Sequence, residues 1–75
     1  MSLDEFTQKF AGCFNQTDPG LIKPNTEYKT AEEWGSMLAL IVIAMIDVET
    51  GKAITGEDLK TALTVADLYE IVKSK

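Results

Sequence analysis

With 75 residues, 45% of them apolar and 25% charged, the chain has the make-up of one small folded domain over residues 1–75 and not of a disordered segment. A domain of this size buries only ~60% of the surface that its unfolded chain exposes, so its core is thin. The net charge is −5, arginine and histidine are absent, and across residues 31–70 eight acids face only Lys52 and Lys60. That balance excludes a nucleic-acid binder, which needs clustered cations to displace counterions from phosphates. Basic protein surfaces are the partners it suits.

The first helix is predicted to open at Ser2, whose hydroxyl caps the backbone while Glu5 reaches back in a capping box. Leu3, Phe6, Phe10, Cys13 and Phe14 then recur at three- and four-residue steps, which gives one apolar face and an end near Phe14. Cys13, alone of its kind, cannot form an internal disulfide. It fits a reducing cytoplasm and reads as an inert core residue. No basic segment precedes an apolar stretch at the N-terminus, so no secretory signal is read.

Residues 15–35 form a long connection, because Asp18-Pro19-Gly20 and Lys23-Pro24-Asn25 forbid a continuous helix. Leu21, Ile22, Tyr28 and Trp34 are expected to pin parts of it to the core. The second helix is predicted from about Ser36 to Glu49, with Gly51 as its left-handed stop. Its apolar run, Met37 to Ile46, suits a buried helix and falls well short of the ~20 residues that a bilayer crossing requires. A short third helix is predicted from Gly56 to about Ala62, capped by Thr55, with Glu57 and Asp58 in its first turn. The fourth begins at Thr64 and runs to about Val72, burying Val65, Leu68, Tyr69 and Val72. No strand-like alternation is present. The fold class is therefore all-α, a four-helix bundle with a long loop between helices 1 and 2 and a short helix 3.

Conventional catalysis finds few residues to work with. Without histidine there is no Ser-His or Cys-His dyad and no imidazole metal site, and the glycines show no phosphate-loop spacing. The adjacent carboxylates Glu32-Glu33 and Glu57-Asp58 do not face each other on a helix and read as solvated surface. No catalytic residue and no metal site is expected.

Ser36 is the residue with a role to fill. The stretch Glu33-Trp34-Gly35-Ser36-Met37-Leu38, the apolar helix after it, then Ile54, Asp58-Leu59 and Thr64-Val65-Ala66-Asp67-Leu68, resembles the acyl carrier proteins over essentially the whole chain. In that family an Asp-Ser-Leu motif opens the second helix, and a phosphopantetheinyl transferase with magnesium attaches 4′-phosphopantetheine from coenzyme A to the serine. The resemblance implies that Ser36 is the attachment residue. It also implies that the chain is no enzyme, presenting thioester-bound acyl or aminoacyl groups to loading and condensing enzymes. Such a carrier would be monomeric, cytoplasmic and not inserted in membranes.

Here the triplet reads Gly35-Ser36-Met37, and the family's acidic positions on helix 2 correspond to Leu38 and Ile41. Leu38, Ile41, Met45 and Val48 follow three- and four-residue spacing, so an apolar stripe for partners is expected there. Trp34 and Met37 would lie beside it, with Asp47, Glu49, Glu57 and Asp58 as an acidic rim. Two alternatives stand beside this reading. The apolar helix is simply buried all round, or the chain is an unmodified carrier-like module that binds a partner through the stripe. Ser36 itself could serve only as the N-cap of its helix.

Overall fold

Four α-helices and no strands make up the computed structural model, which describes residues 1–75: α1 (Leu3–Ala11), α2 (Ser36–Thr50), α3 (Gly56–Thr61) and α4 (Val65–Lys73). No helix is long and apolar enough to cross a membrane. Three of the helices start on reciprocal capping boxes. Ser2 Oγ accepts from Glu5 N at 3.2 Å, and Thr55 and Thr64 do the same for Asp58 N and Asp67 N, both at 3.1 Å. In each pair the acidic side chain accepts the cap residue's own N–H in return. Two otherwise orphaned donors are thereby satisfied at each helix start.

Helix α1 ends earlier than its apolar spacing predicts. Gly12 is its C-cap, and Cys13 and Phe14 follow in tighter turns, donating to the Phe10 and Ala11 carbonyls at 3.0 and 3.1 Å. Phe14 still reaches the core, whereas Cys13 is only half-buried. Burial pushes the Cys13 thiol pKa above its usual value, which lowers its thiolate fraction.

The connection between α1 and α2 is pinned at several points. Its two short 3₁₀ turns are Pro19–Leu21 and Tyr28–Thr30, and Asp18 caps the first by accepting from Gly20 N. Ile22 and Tyr28 are buried, Trp34 is half-buried and Leu21 is exposed. The loop also supports α4, for Val65 N donates to Thr26 O at 3.2 Å and Ala66 N to Pro24 O at 2.8 Å. Those donors belong to the first turn of α4 and have no acceptor within their own helix.

Tyr28 is a core residue with a polar handle. Its ring is fully buried, edge-on to Phe10 and Trp34, and its hydroxyl donates to the Leu59 carbonyl at 2.8 Å. Burial, with help from the Asp67 carboxylate, pushes its pKa up to about 12, so it stays a donor. Tyr28→Phe should therefore keep the shape and leave a buried carbonyl without its partner. The expected cost is about 1–3 kcal/mol, read as a lower urea midpoint at unchanged slope.

Helix α2 is apolar on every side yet buried on one. Leu38, Val42 and Ile46, four residues apart, face the core together with Phe6, Phe10 and Leu68. Gly51 closes the helix at φ 72°, in the left-handed region as expected, and donates to Asp47 O at 2.8 Å. Half a turn from the core face lie Met37, Leu40, Ile41, Ala44 and Val48, all exposed. The expected stripe is thus divided. Leu38 is buried and Met45 is packed partly against the core, while Ile41 and Val48 point outward. The alternative of a helix buried all round fails equally, since Met37 is 75% and Val48 80% exposed.

Candidate functional site

Gly35 is the N-cap of α2, in an extended conformation with φ −172°, and no side chain caps this helix. Ser36 is its first helical residue and is exposed. The serine is therefore not the cap. The first bond of the α2 ladder runs from Ala39 N to Gly35 O, so the amides of Ser36, Met37 and Leu38 precede any intrahelical acceptor. No acidic residue lies in this first turn, unlike the first turns of α1, α3 and α4. The positive end of the α2 macrodipole thus has no compensating carboxylate of its own; Glu33, which lines a small pocket with Met37 and Leu38, is committed to the amides of residues 15–17.

The residues leading into Ser36 are held firmly. Trp34 stacks on Phe10 at 6.4 Å and 16° and meets Tyr28 edge-on at 4.8 Å. Glu33 is no solvated surface acid, contrary to the sequence expectation. Its carboxylate accepts from the backbone N–H groups of Asn15, Gln16 and Thr17 and from the Thr17 hydroxyl. These bonds hold the Glu33 pKa below its ordinary value, the Asn15 bond most of all.

That clamp has a pH signature. Because the folded-state value is the lower one, its stabilisation is present above the ordinary glutamate range and disappears as pH falls through the depressed pKa. In Glu33→Gln the acid limb of the stability profile should flatten. The Asn15, Gln16 and Thr17 amides should lose hydrogen-exchange protection already at neutral pH.

The predicted acidic rim is only partly free. Asp47 and Glu57 are exposed. Glu49 pairs with Lys9 of α1 at 3.3 Å. Asp58 caps Thr55 and pairs with Lys75 at 2.9 Å, and the Lys75 bond is the main reason its carboxyl titrates below the usual range. Of the predicted partner-facing apolar residues, Met37 and Ile41 are on the surface, Leu38 and Met45 are turned inward, and Trp34 lines a cleft beside Ser36. No group of three or more His, Cys, Asp or Glu side chains is gathered to hold a metal ion.

The sequence reading missed three features here. Leu40, 66% exposed, belongs to the outward face of α2. The cleft of about 510 Å³ between α2 and α3 has Ser36 on its edge, with Lys29 and Lys60 among its lining residues. The Glu33 clamp joins residues 16 to 18 positions apart. The first follows only once packing fixes Leu38, Val42 and Ile46 as the buried face of α2, which its all-round apolar pattern does not do. The other two depend on how the long connection folds back, for which no local pattern stands. Comparison with family models, with curated proteins and with solved structures finds no match to this chain.

Proposed function

We propose that the chain is an acyl carrier protein of four-helix-bundle type, modified on Ser36, presenting thioester-bound intermediates to partner enzymes and catalysing nothing itself. The observation that carries this reading is the exposed Ser36 hydroxyl at the start of α2, beside amides without helical acceptors, in a first turn that holds no acidic residue. A phosphodiester there would be stabilised by those N–H groups and by the helix dipole. Gly35 has open space around it, which leaves room for a transferase and for the base of an arm.

In the attachment step the Ser36 oxygen forms a P–O bond to the pantetheine phosphate of coenzyme A. The P–O bond to 3′,5′-ADP breaks, and the hydroxyl proton passes to a base of the transferase. Once attached, the 4′-phosphopantetheine arm supplies the thiol that holds acyl or aminoacyl groups. Everything else asked of this chain is positioning and recognition. Met37, Leu40, Ile41 and Val48 offer partners an apolar face, bordered by Asp47, so that docking is mainly hydrophobic.

The direct test is intact-mass measurement after incubation with coenzyme A, magnesium and a broad-specificity phosphopantetheinyl transferase. One added arm per chain is expected, and an unchanged mass counts against the reading. A second reading is favoured by that same outward face together with Gly35 in place of the family's aspartate. It makes the chain an unmodified module that binds a partner through α2. Under it no arm is added, yet Ile41→Glu still abolishes partner capture.

A further inference from the structure

We propose that the chain pairs with a second copy of itself through α2, the two helices lying antiparallel about a two-fold axis near Ile41. The monomer implied by the family resemblance leaves α2 with both of its ends uncompensated. Helices α1, α3 and α4 each carry acids in the first turn and end with Lys9, Lys60 and Lys73 respectively. Helix α2 has no acid in its first turn and no base in its last. Asp47 and Glu49 stand instead near its C-terminal end, where the macrodipole is negative. Glu49 is paired with Lys9, whereas Asp47 is exposed and joins none of the three ion pairs of the fold.

An antiparallel copy corrects both ends at once. Ser36 and Asp47 are eleven residues apart, about three turns, and so share one flank of the helix. In a two-fold antiparallel pair each flank meets the same flank of the other copy in reverse order. Asp47 of each copy is thereby brought to the open amides of Ser36, Met37 and Leu38 on the other. The same placement sets Met37 against Val48, Leu40 against Ala44, and the two copies of Ile41 near the axis. Those five are the exposed apolar residues of α2. Together they form a patch on the order of 500 Å². Two such patches face to face reach the ~1,000 Å² at which specific interfaces begin, so the dimer is weak and concentration-dependent.

This pairing does not depend on Ser36 being modified, so it is tested on the unmodified protein. Sedimentation equilibrium from about 10 μM to about 1 mM should show monomer and dimer exchanging with a Kd on the order of 100 μM. Ile41→Glu should stay monomeric throughout, and Val48→Glu, at the most exposed of these positions, serves the same end. Asp47→Asn should weaken pairing about tenfold, because two symmetric contacts with helix ends are lost. Glu70→Gln makes the same change of charge at an exposed site on α4 and should not weaken it. That contrast separates the helix-end contact from simple relief of repulsion between two chains of net charge −5. An NOE between Met37 and Val48 methyl groups should join labelled to unlabelled copies. Within one chain these residues lie about 16 Å apart along α2, beyond the reach of that effect.

A monomer at every concentration overturns the proposal, as does a dimer that persists in both glutamate variants. So do equal effects of Asp47→Asn and Glu70→Gln, and a dimer without the Met37–Val48 contact. A dimer that accepts no prosthetic arm overturns the carrier reading alone, and a strict monomer that accepts one overturns this proposal alone.

Discussion

Ser36→Ala is expected to leave the four helices intact and to abolish attachment of the phosphopantetheine arm completely. The side chain is exposed and is not the cap of α2, so its removal breaks no helix-terminal bond. Alanine at a helical position is favoured over serine by a few tenths of a kcal/mol. The urea midpoint should therefore stay the same or rise slightly while the mass shift disappears. The chain carries its own control, because its only other serines are engaged. Ser2 Oγ caps α1, and Ser74 Oγ donates to Ile71 O at 2.8 Å. An arm still attached to the Ser36→Ala chain would overturn the assignment.

Gly35→Asp makes an informative companion. The backbone there is extended and nothing lies within 4 Å of a new Cβ, so aspartate is accommodated without strain. It would supply the side-chain cap that α2 lacks, for a gain of about 0.5–1 kcal/mol. If attachment fails in the native chain and succeeds with Gly35→Asp, the missing carboxylate is what the transferase reads. The native chain is then better described as the unmodified module.

The second large effect is a contrast between two residues three positions apart. Leu38→Glu should unfold most of the protein, whereas Ile41→Glu should fold normally. Leu38 is 5% exposed, so the change forfeits a buried apolar side chain worth roughly 1.5–3 kcal/mol and forces a carboxylate into the core at several more. A domain of this length has about 4–11 kcal/mol in total. Ile41 is 40% exposed on the outward face, where a polar replacement costs about 1 kcal/mol or less. Far-UV circular dichroism with urea titration separates the two. A folded Leu38→Glu protein would mean that α2 is rotated from the phase described above.

What could be read from the sequence is what local chemistry dictates. The cap and acid of Ser2/Glu5, Thr55/Asp58 and Thr64/Asp67 stand three residues apart, and Gly51 follows shortly after the apolar run Met37 to Ile46, so four helix starts or stops are visible without tertiary information. The rotation of α2 was not visible. A helix that is apolar all round has no preferred face in its own pattern, and only the packing of Leu38, Val42 and Ile46 against α1 and α4 chooses one. The exposed Ser36 lay within reach because a helix start is local. The lysine-edged cleft and the Glu33 clamp are products of loop closure and left no trace in periodicity.

The carbonyls of Pro24 and Thr26 receive the leading amides of α4. A proline-rich connector thus stands in for the missing turn of a helix far downstream, and neither segment completes its bonding without the other. Peeling one away strands two donors at once. Those two bonds couple the middle of the chain to its tail, so that loosening either one exposes polar groups of the other.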